Sequence, residues 1–336
     1  MTSVSELRQD IVSGDWVVVA TGRAKRPDDF LKERRSESTR SRRMCPFERR
    51  AEKSLLMFMH GGAKKGRDES DWWVEVVSNK YPALGSGMHA SRRQAGPYHW
   101  MEGIGFHEVV VTRDHERSFG LMDDAEAELV VRAYQERFLA LREKPNVKYI
   151  SIFHNHGRHA GATIAHPHSQ IITLPVIPPD FGRSLTGSAA YQHEHKSCVY
   201  CTLIAYELKV KERLVWENKH FIVFAPFASK SAFELRLVPR RHSARFEDIS
   251  AEERYAFGAA LRVALAKLYH GLGNPDYNFF FHTAPTQDSE PELGHYHWHV
   301  EILPKTAIWA GFEIGTGIEI STIAPETAAA FLRNIE

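Results

Sequence analysis

The run His166-Pro167-His168-Ser169-Gln170-Ile171-Ile172-Thr173-Leu174-Pro175 passes from a polar triplet into an apolar strand closed by proline. On an extended chain, residues two apart face the same way, so His166, His168 and Gln170 share one polar face. An imidazole presented there, with an amide beside it, suits nucleophilic attack on phosphorus. The ring can take up a phosphoryl group, and Gln170 can donate an N–H to the negative oxygens without delivering a proton to water. An isolated His-x-His could equally bind metal or fill a core, so the rest of the chain has to decide.

The surroundings of that run occur twice. Val111-Thr112-Arg113-Asp114-His115 returns as Val238-Pro239-Arg240-Arg241-His242, and Tyr149-Ile150-Ser151-Ile152-Phe153-His154 returns as Tyr277-Asn278-Phe279-Phe280-Phe281-His282. The histidine run, ending at Leu174-Pro175, returns as His295-Tyr296-His297-Trp298-His299, ending at Leu303-Pro304. A shorter echo links Asn79-Lys80-Tyr81 to Asn218-Lys219-His220. Blocks that recur in order at near-constant spacing mean a duplicated unit. The expected domains are 1–180, catalytic, and 190–336, joined by a linker carrying Pro175, Pro178, Pro179, Gly182 and Gly187.

Each unit reads alike. A helix is expected from Asp123 to Lys144, with Leu129, Val130, Tyr134, Phe138 and Leu141 on one face. Its counterpart starts with a Ser250/Glu253 capping box and stops near Gly271 and Gly273. Val109–Thr112 and Leu235–Val238 read as strands. The expected fold class is therefore α+β, with mostly antiparallel sheets and a helix packed on each.

Composition excludes several functions. In 336 residues, 43 Lys plus Arg nearly balance 42 Asp plus Glu, so no net field draws the molecule to nucleic acid or membrane. No apolar run is long enough to span a bilayer, and the N-terminus lacks a signal-type apolar region. Three cysteines suggest metal ligation in a reducing compartment, with cytoplasm the default. Lys32 to Arg43 reads as a basic, solvated loop. Gly61-Gly62-Ala63-Lys64-Lys65-Gly66 lacks the spacing and the Ser/Thr of a phosphate-binding loop.

Cys198-Val199-Tyr200-Cys201 has zinc-knuckle spacing, and His242 with His295 or His297 could complete a Cys2His2 site for structural Zn2+. Repeat symmetry nominates His295 for the fourth position. The first half offers Cys45, Glu48, His115 and His166, with a carboxylate where the second cysteine would stand. Only the first copy has proline between its histidines, glutamine at the third polar position, and the small loop Asn155-His156-Gly157-Arg158-His159-Ala160-Gly161-Ala162-Thr163 before it. Such a loop lets backbone N–H groups approach phosphate. Chemistry is therefore expected in the first half.

Together these stretches resemble the galactose-1-phosphate uridylyltransferase family of the histidine-triad superfamily. The resemblance rests on Glu6-Leu7-Arg8-Gln9-Asp10, Asp15-Trp16-Val17-Val18, Arg23-Ala24-Lys25-Arg26-Pro27, Cys45-Pro46-Phe47, and Val77-Ser78-Asn79-Lys80-Tyr81-Pro82-Ala83-Leu84. Asp114-His115, Asn155, His166 to Gln170 and Gly311-Phe312-Glu313 complete it.

The resemblance implies tandem histidine-triad-like domains and a ping-pong transfer in which His168 accepts a nucleotidyl group from a nucleoside diphosphate sugar and passes it to a sugar 1-phosphate. Gln170 would hold a non-bridging oxygen. Arg23, Arg26 and Asn155, with Thr163 nearby, would contact phosphates; Asn79 would lie at the nucleoside, and Glu313 with Lys305 at the sugar. The resemblance also favours His297 over His295 as a metal ligand and implies a homodimer. The implied reaction moves UMP between UDP-glucose and galactose 1-phosphate. A phosphorylase acting on ADP-glucose or a dinucleoside polyphosphate, and a non-catalytic nucleotide-binding scaffold, are the alternatives.

Overall fold

A computed structural model of the chain describes residues 5–23, 42–48, 53–64, 71–85, 87, 90–286 and 293–336. Arg26 and most of the basic Lys32 to Arg43 segment lie outside them. Strands of the first half are β1 (Glu6–Gln9), β2 (Trp16–Val19), β3 (Leu56–Met59), β4 (Trp72–Ser78), β5 (Arg92–Ala95), β6 (Tyr98–Met101), β7 (His107–Thr112), β8 (Tyr149–His156) and β9 (His168–Leu174). The second half adds β10 (Leu214–Glu217), β11 (Phe221–Phe224), β12 (Leu235–Pro239), β13 (Tyr277–His282), β14 (His299–Pro304) and β15 (Glu319–Ser321). The helices are α1 (Asp124–Arg142), α2 (Pro179–His195), α3 (Val199–Val210), α4 (Ala251–Leu272), α5 (Gly311–Thr316) and α6 (Pro325–Arg333).

Ten strands form one antiparallel sheet in the order β10-β11-β12-β14-β13-β8-β9-β7-β4-β3. The half-sheets meet edge to edge, with Phe280 opposite Phe153, Asn278 opposite Asn155 and Tyr277 opposite His156. Each half therefore hides an edge that would otherwise expose unpaired backbone groups. Helices α1 and α4 pack side by side over one face. One core runs beneath them through both halves, from Phe58, Tyr134, Phe138 and Ile171 to Phe257, Leu261, Phe281 and Trp298. The helix starts match the sequence reading. Asp123 with Glu126 and Ser250 with Glu253 form capping boxes, and Gly273 ends α4 in the left-handed region at φ 68°.

The expected linker is instead largely helical. Pro179 opens α2 at its first turn, where its missing N–H costs nothing, and α3 follows directly. Helix α3 covers the second face of the second half-sheet. In β11, Phe221 and Val223 point into the common core, while Ile222 and Phe224 meet Val199, Tyr200 and Ile204 of α3. In β9, by contrast, Ser169, Ile171 and Thr173 are buried whereas His168, Gln170 and Ile172 remain partly exposed.

Strand geometry corrects the repeat register. His166 Nε2 donates to the Thr112 carbonyl at 2.6 Å, and His297 Nε2 donates to the Pro239 carbonyl at 2.9 Å. His168 Nδ1 donates to the His166 carbonyl at 2.8 Å, as His299 Nδ1 does to that of His297 at 3.1 Å. The counterparts of His166, His168 and Gln170 are thus His297, His299 and Glu301, two residues beyond the apparent sequence match. A slip of two leaves every side chain on its own face, so the alternation alone cannot detect it. The Tyr149/Tyr277 match is also displaced: Phe153 pairs with Gln170, and Phe280 with Glu301, making Phe153 and Phe280 equivalent. Asn79 follows β4 whereas Asn218 lies between β10 and β11. They resemble one another because each accepts a backbone N–H two residues on, at 2.9 Å and 2.8 Å.

Two glycines of α2 make a paired test. A Cβ on Gly187 would stand 1.8 Å from the Val12 carbonyl oxygen, whereas one on Gly182 would meet nothing within 4 Å. Gly187→Ala should cost about 1–3 kcal/mol through overpacking, and Gly182→Ala should stabilise the helix by up to ~1 kcal/mol. Denaturant unfolding of the two variants checks both signs.

Candidate active site

His168 opens β9 on the less covered face of the sheet. Its Nδ1–H is engaged by the His166 carbonyl, which directs the Nε2 lone pair away from that backbone. Burial lowers the ring's pKa below the ordinary imidazole value, and the bond to the His166 carbonyl works the opposite way. The net result is a neutral ring at pH 7, the form a nucleophile needs. The Phe47 ring lies 5.1 Å from it, centroid to centroid.

Gln170 shares the face of His168, and its Oε1 accepts the Nε2–H of His107 at 2.8 Å. Asn155, next to His154 in β8, falls across from His168; its Oδ1 accepts the Nδ2–H of Asn278 at 2.8 Å. Asn79 places its amide nitrogen 3.0 Å from His107 Nε2. The structure thus brings His168, Gln170, Asn155 and Asn79 into one neighbourhood, with His107 and Asn278 as unforeseen neighbours. Neither belongs to a recognisable motif, and only strand register would have placed them on this face.

The small loop does not present the backbone donors expected of it. Gly157 and Gly161 adopt φ of 88° and 90°. The N–H groups of His159, Ala160, Gly161 and Ala162 are all taken internally, by Asp276, Gly157, Arg158 and Gly157 respectively. Donors for a ligand must come mainly from side chains here. Thr163 is exposed in a bend of this loop, and Arg23 ends a short 3-10 helix with its side chain outside the described residues.

Glu313 and Lys305 line a separate cleft with Lys230 and Trp309. Pro304 pairs with Tyr277, which pairs with His156, so Lys305 lies at the same end of the sheet as His168. Three strand spacings, roughly 14 Å, separate them. Glu313 Oε2 accepts the Ala310 N–H at 3.0 Å at the start of α5.

Two groups have the composition and spacing of metal sites. The donor atoms of Cys198, Cys201, His242 and His297 all lie within 4.8 Å of one another. Cys201 Sγ is 3.4 Å from His242 Nδ1 and 3.7 Å from His297 Nδ1, and Cys198 Sγ is 3.9 Å from His297 Nδ1. A tetrahedral thiolate–imidazole site has sulfur–nitrogen edges of roughly 3.6 Å. The Pro239 carbonyl accepts the Nε2–H of His297 and so turns its Nδ1 toward the cysteines. A proton held between the two thiols leaves Cys198 far below the ordinary thiol range and Cys201 above it.

Cys45, His115 and His166 form the first-half group. Glu48 Oε1 lies 2.8 Å from His115 Nδ1 and 3.9 Å from His166 Nδ1, and also accepts from Arg42 at 3.1 Å. Its carboxylate is therefore divided between the group and an arginine. His295 is absent from the second group, and His297 takes the place that repeat matching gave it.

The second-half equivalent of the His168 face is closed. His299 is 1% exposed, and the Tyr200 hydroxyl of α3 lies 3.2 Å from its Nε2. Arg236 donates to Glu301 at 3.0 Å and to Asp10 at 3.2 Å. His282, His299 and Glu301 also lie close enough to hold an ion, but Glu301 already pairs with the buried Arg236 guanidinium.

Models described as galactose-1-phosphate uridyl transferase, N-terminal and C-terminal domains, match residues 1–178 and 185–336. The chain is 32% identical to ADP-glucose phosphorylase of Arabidopsis thaliana, over 98% of this chain and 93% of that one. It is 29% identical to galactose-1-phosphate uridylyltransferase of Thermotoga maritima, over 98% of each. The solved structure of the Arabidopsis thaliana ADP-glucose phosphorylase with bound ADP-glucose superposes with TM-score 0.81 at 30% identity, covering 99% of this chain and 100% of that one.

The lowered pKa of His168 sets a sign. Its neutral form should persist at lower pH than that of an exposed histidine, so its ring nitrogens should titrate with a midpoint below 6.5. Histidine 15N NMR of metal-replete protein, assigned through His168→Gln, checks this; a midpoint at or above 6.5 contradicts the burial argument.

Proposed function

Since the chain belongs to the galactose-1-phosphate uridyl transferase family, we propose that it transfers a nucleotidyl group through a covalent intermediate on His168. The observation that carries this is the His168 ring, half-buried, held at Nδ1 by a backbone carbonyl and free of both metal groups. Nε2 attacks the α-phosphorus of a nucleoside diphosphate sugar. A P–N bond forms, the P–O bond to the leaving phosphate breaks, and sugar 1-phosphate departs. The His166 carbonyl then faces a ring gaining positive charge, which strengthens its hydrogen bond. Acceptor oxygen reverses the step and regenerates the imidazole.

Gln170 and Asn155 donate to the phosphoryl oxygens, with Arg23, Arg26 and Thr163 as further phosphate contacts. Asn79 meets the nucleoside. Glu313 and Lys305 contact the sugar from their own cleft, and the roughly 14 Å between Lys305 and His168 fits a sugar site completed across a homodimer. Exposed Ile308, Trp309, Phe312 and Ile314 beside that cleft support the same arrangement. The working units are 1–180, catalytic, and 190–336, carrying the better metal group. Among the described residues no helix is long and apolar enough to cross a membrane. The three unpaired cysteines suit a reducing cytoplasm.

The reading that follows the family models moves UMP from UDP-glucose to galactose 1-phosphate. A second has its own support in the 32% identity to ADP-glucose phosphorylase: AMP passes from ADP-glucose to His168 and then to inorganic phosphate, giving ADP. The protein should be incubated without acceptor with either donor carrying 32P at the phosphate next to the nucleoside. One donor should leave acid-labile label that His168→Ala abolishes. Chasing with galactose 1-phosphate or inorganic phosphate identifies the acceptor from the product. Label from neither donor, nor from a dinucleoside polyphosphate labelled in the same way, would refute covalent transfer and leave a non-catalytic scaffold.

Zinc is the proposed ion for both metal groups, with Cys198, Cys201, His242 and His297 holding it more completely than Cys45, Glu48, His115 and His166. Metal analysis should find at least about one zinc per chain, and Cys201→Ala should lose it with a stability cost above about 3 kcal/mol. Metal-free wild type that stays fully folded would refute a structural role.

A further inference from the structure

We propose that His107 and Asn278 are positioning residues that fix the orientation of the two phosphate-facing amides, Gln170 and Asn155, each by reference to the backbone. An amide side chain can present either its oxygen or its NH2, and only the NH2 favours a phosphoryl oxygen. A half-turn would place a carbonyl oxygen against the anion. Something must hold the productive orientation, and in each case here it is a group whose polarity the main chain settles.

The Ala83 backbone N–H donates to His107 Nδ1 at 3.1 Å. A backbone N–H can only donate, so Nδ1 carries no proton and the ring proton sits on Nε2. Nε2–H therefore donates to Gln170 at 2.8 Å and can be met only by the amide oxygen. Gln170 must then turn its NH2 outward, where no acceptor among the described residues meets it. The Asn79 amide does not compete for that proton. Its nitrogen stands 3.0 Å from Nε2 and 3.5 Å from Nδ1, too close to both for an in-plane approach to either, and so lies over the ring.

The second case runs through an acceptor. The Ala160 carbonyl can only accept, and Asn278 Nδ2 donates to it at 2.8 Å. The same nitrogen donates to Asn155 at 2.8 Å, so Asn155 must offer its oxygen there and aim its own NH2 away. Asn278 lies opposite Asn155 where the two half-sheets join, so the second half supplies a group that sets a donor in the first.

The inference rests on the transferase reading for its kinetics but not for its geometry, and the test separates the two. In wild-type protein, 15N NMR should find His107 neutral, protonated on Nε2, with an unprotonated Nδ1. The opposite tautomer overturns the His107 assignment whatever the activity. In single-turnover labelling of His168, Gln170→Ala should slow transfer by about 10²–10³-fold and His107→Ala by roughly 10–100-fold. Both should act on the rate constant rather than on half-saturation. His107→Gln, which restores a donor, should recover much of the rate. In the Gln170→Ala background, His107→Ala should add little, and Asn278→Ala should likewise add little to Asn155→Ala. Multiplicative losses in both pairs, in variants that unfold like wild type, would overturn the proposal. If wild type itself takes no label, the transferase reading fails, while the tautomer and the Gln170 side-chain NH2 signals in His107→Ala still decide the geometry.

Discussion

The pairing of β8 with β13 is the constraint from which the rest of the molecule follows. It converts two five-strand halves into one sheet, gives α1 and α4 a single surface to cover, and so creates one apolar core. It also joins side chains, since Asn278 donates to Asn155 at this seam. A duplicated unit usually keeps its copies as separate bodies. Here the copies share backbone hydrogen bonds, so neither half's geometry is independent of the other.

Given that symmetry, the structural difference between the halves comes from what covers the second face. Helix α3 lies over the second half, caps His299 with Tyr200, and brings two cysteines to His242 and His297. The first half has no equivalent helix among its described residues, so His168 and Gln170 keep access. The same local device, a histidine Nδ1–H bound to the carbonyl two residues earlier, is used in both copies. Coverage, rather than local backbone, separates an accessible ring from a buried one.

Much of this was legible in the residues. The capping box at Ser250 is local chemistry and places its helix directly, the apolar periodicity after Asp123 does the same for α1, and the alternation around His168 puts Gln170 beside it. The failures have equally definite causes. The repeat register is concealed because a two-residue slip preserves facing, and His295-Tyr296-His297 looks more like His166-Pro167-His168 than the true counterpart does. The interhalf helices are hidden in the sequence because prolines and glycines ordinarily mark breaks. Pro179 in fact starts a helix, and Gly187 admits the Val12 backbone. His107 and Asn278 carry no local signal, because their contacts with Gln170 and Asn155 are made across strands.

His166 occupies two circuits at once. Its ring faces Cys45, His115 and Glu48, while its main-chain oxygen holds His168. Anything that loosens the ring also loosens the carbonyl that aims the neighbouring imidazole. An ion held there, as proposed, would act on the neighbouring imidazole as a strut, from a distance and through the main chain.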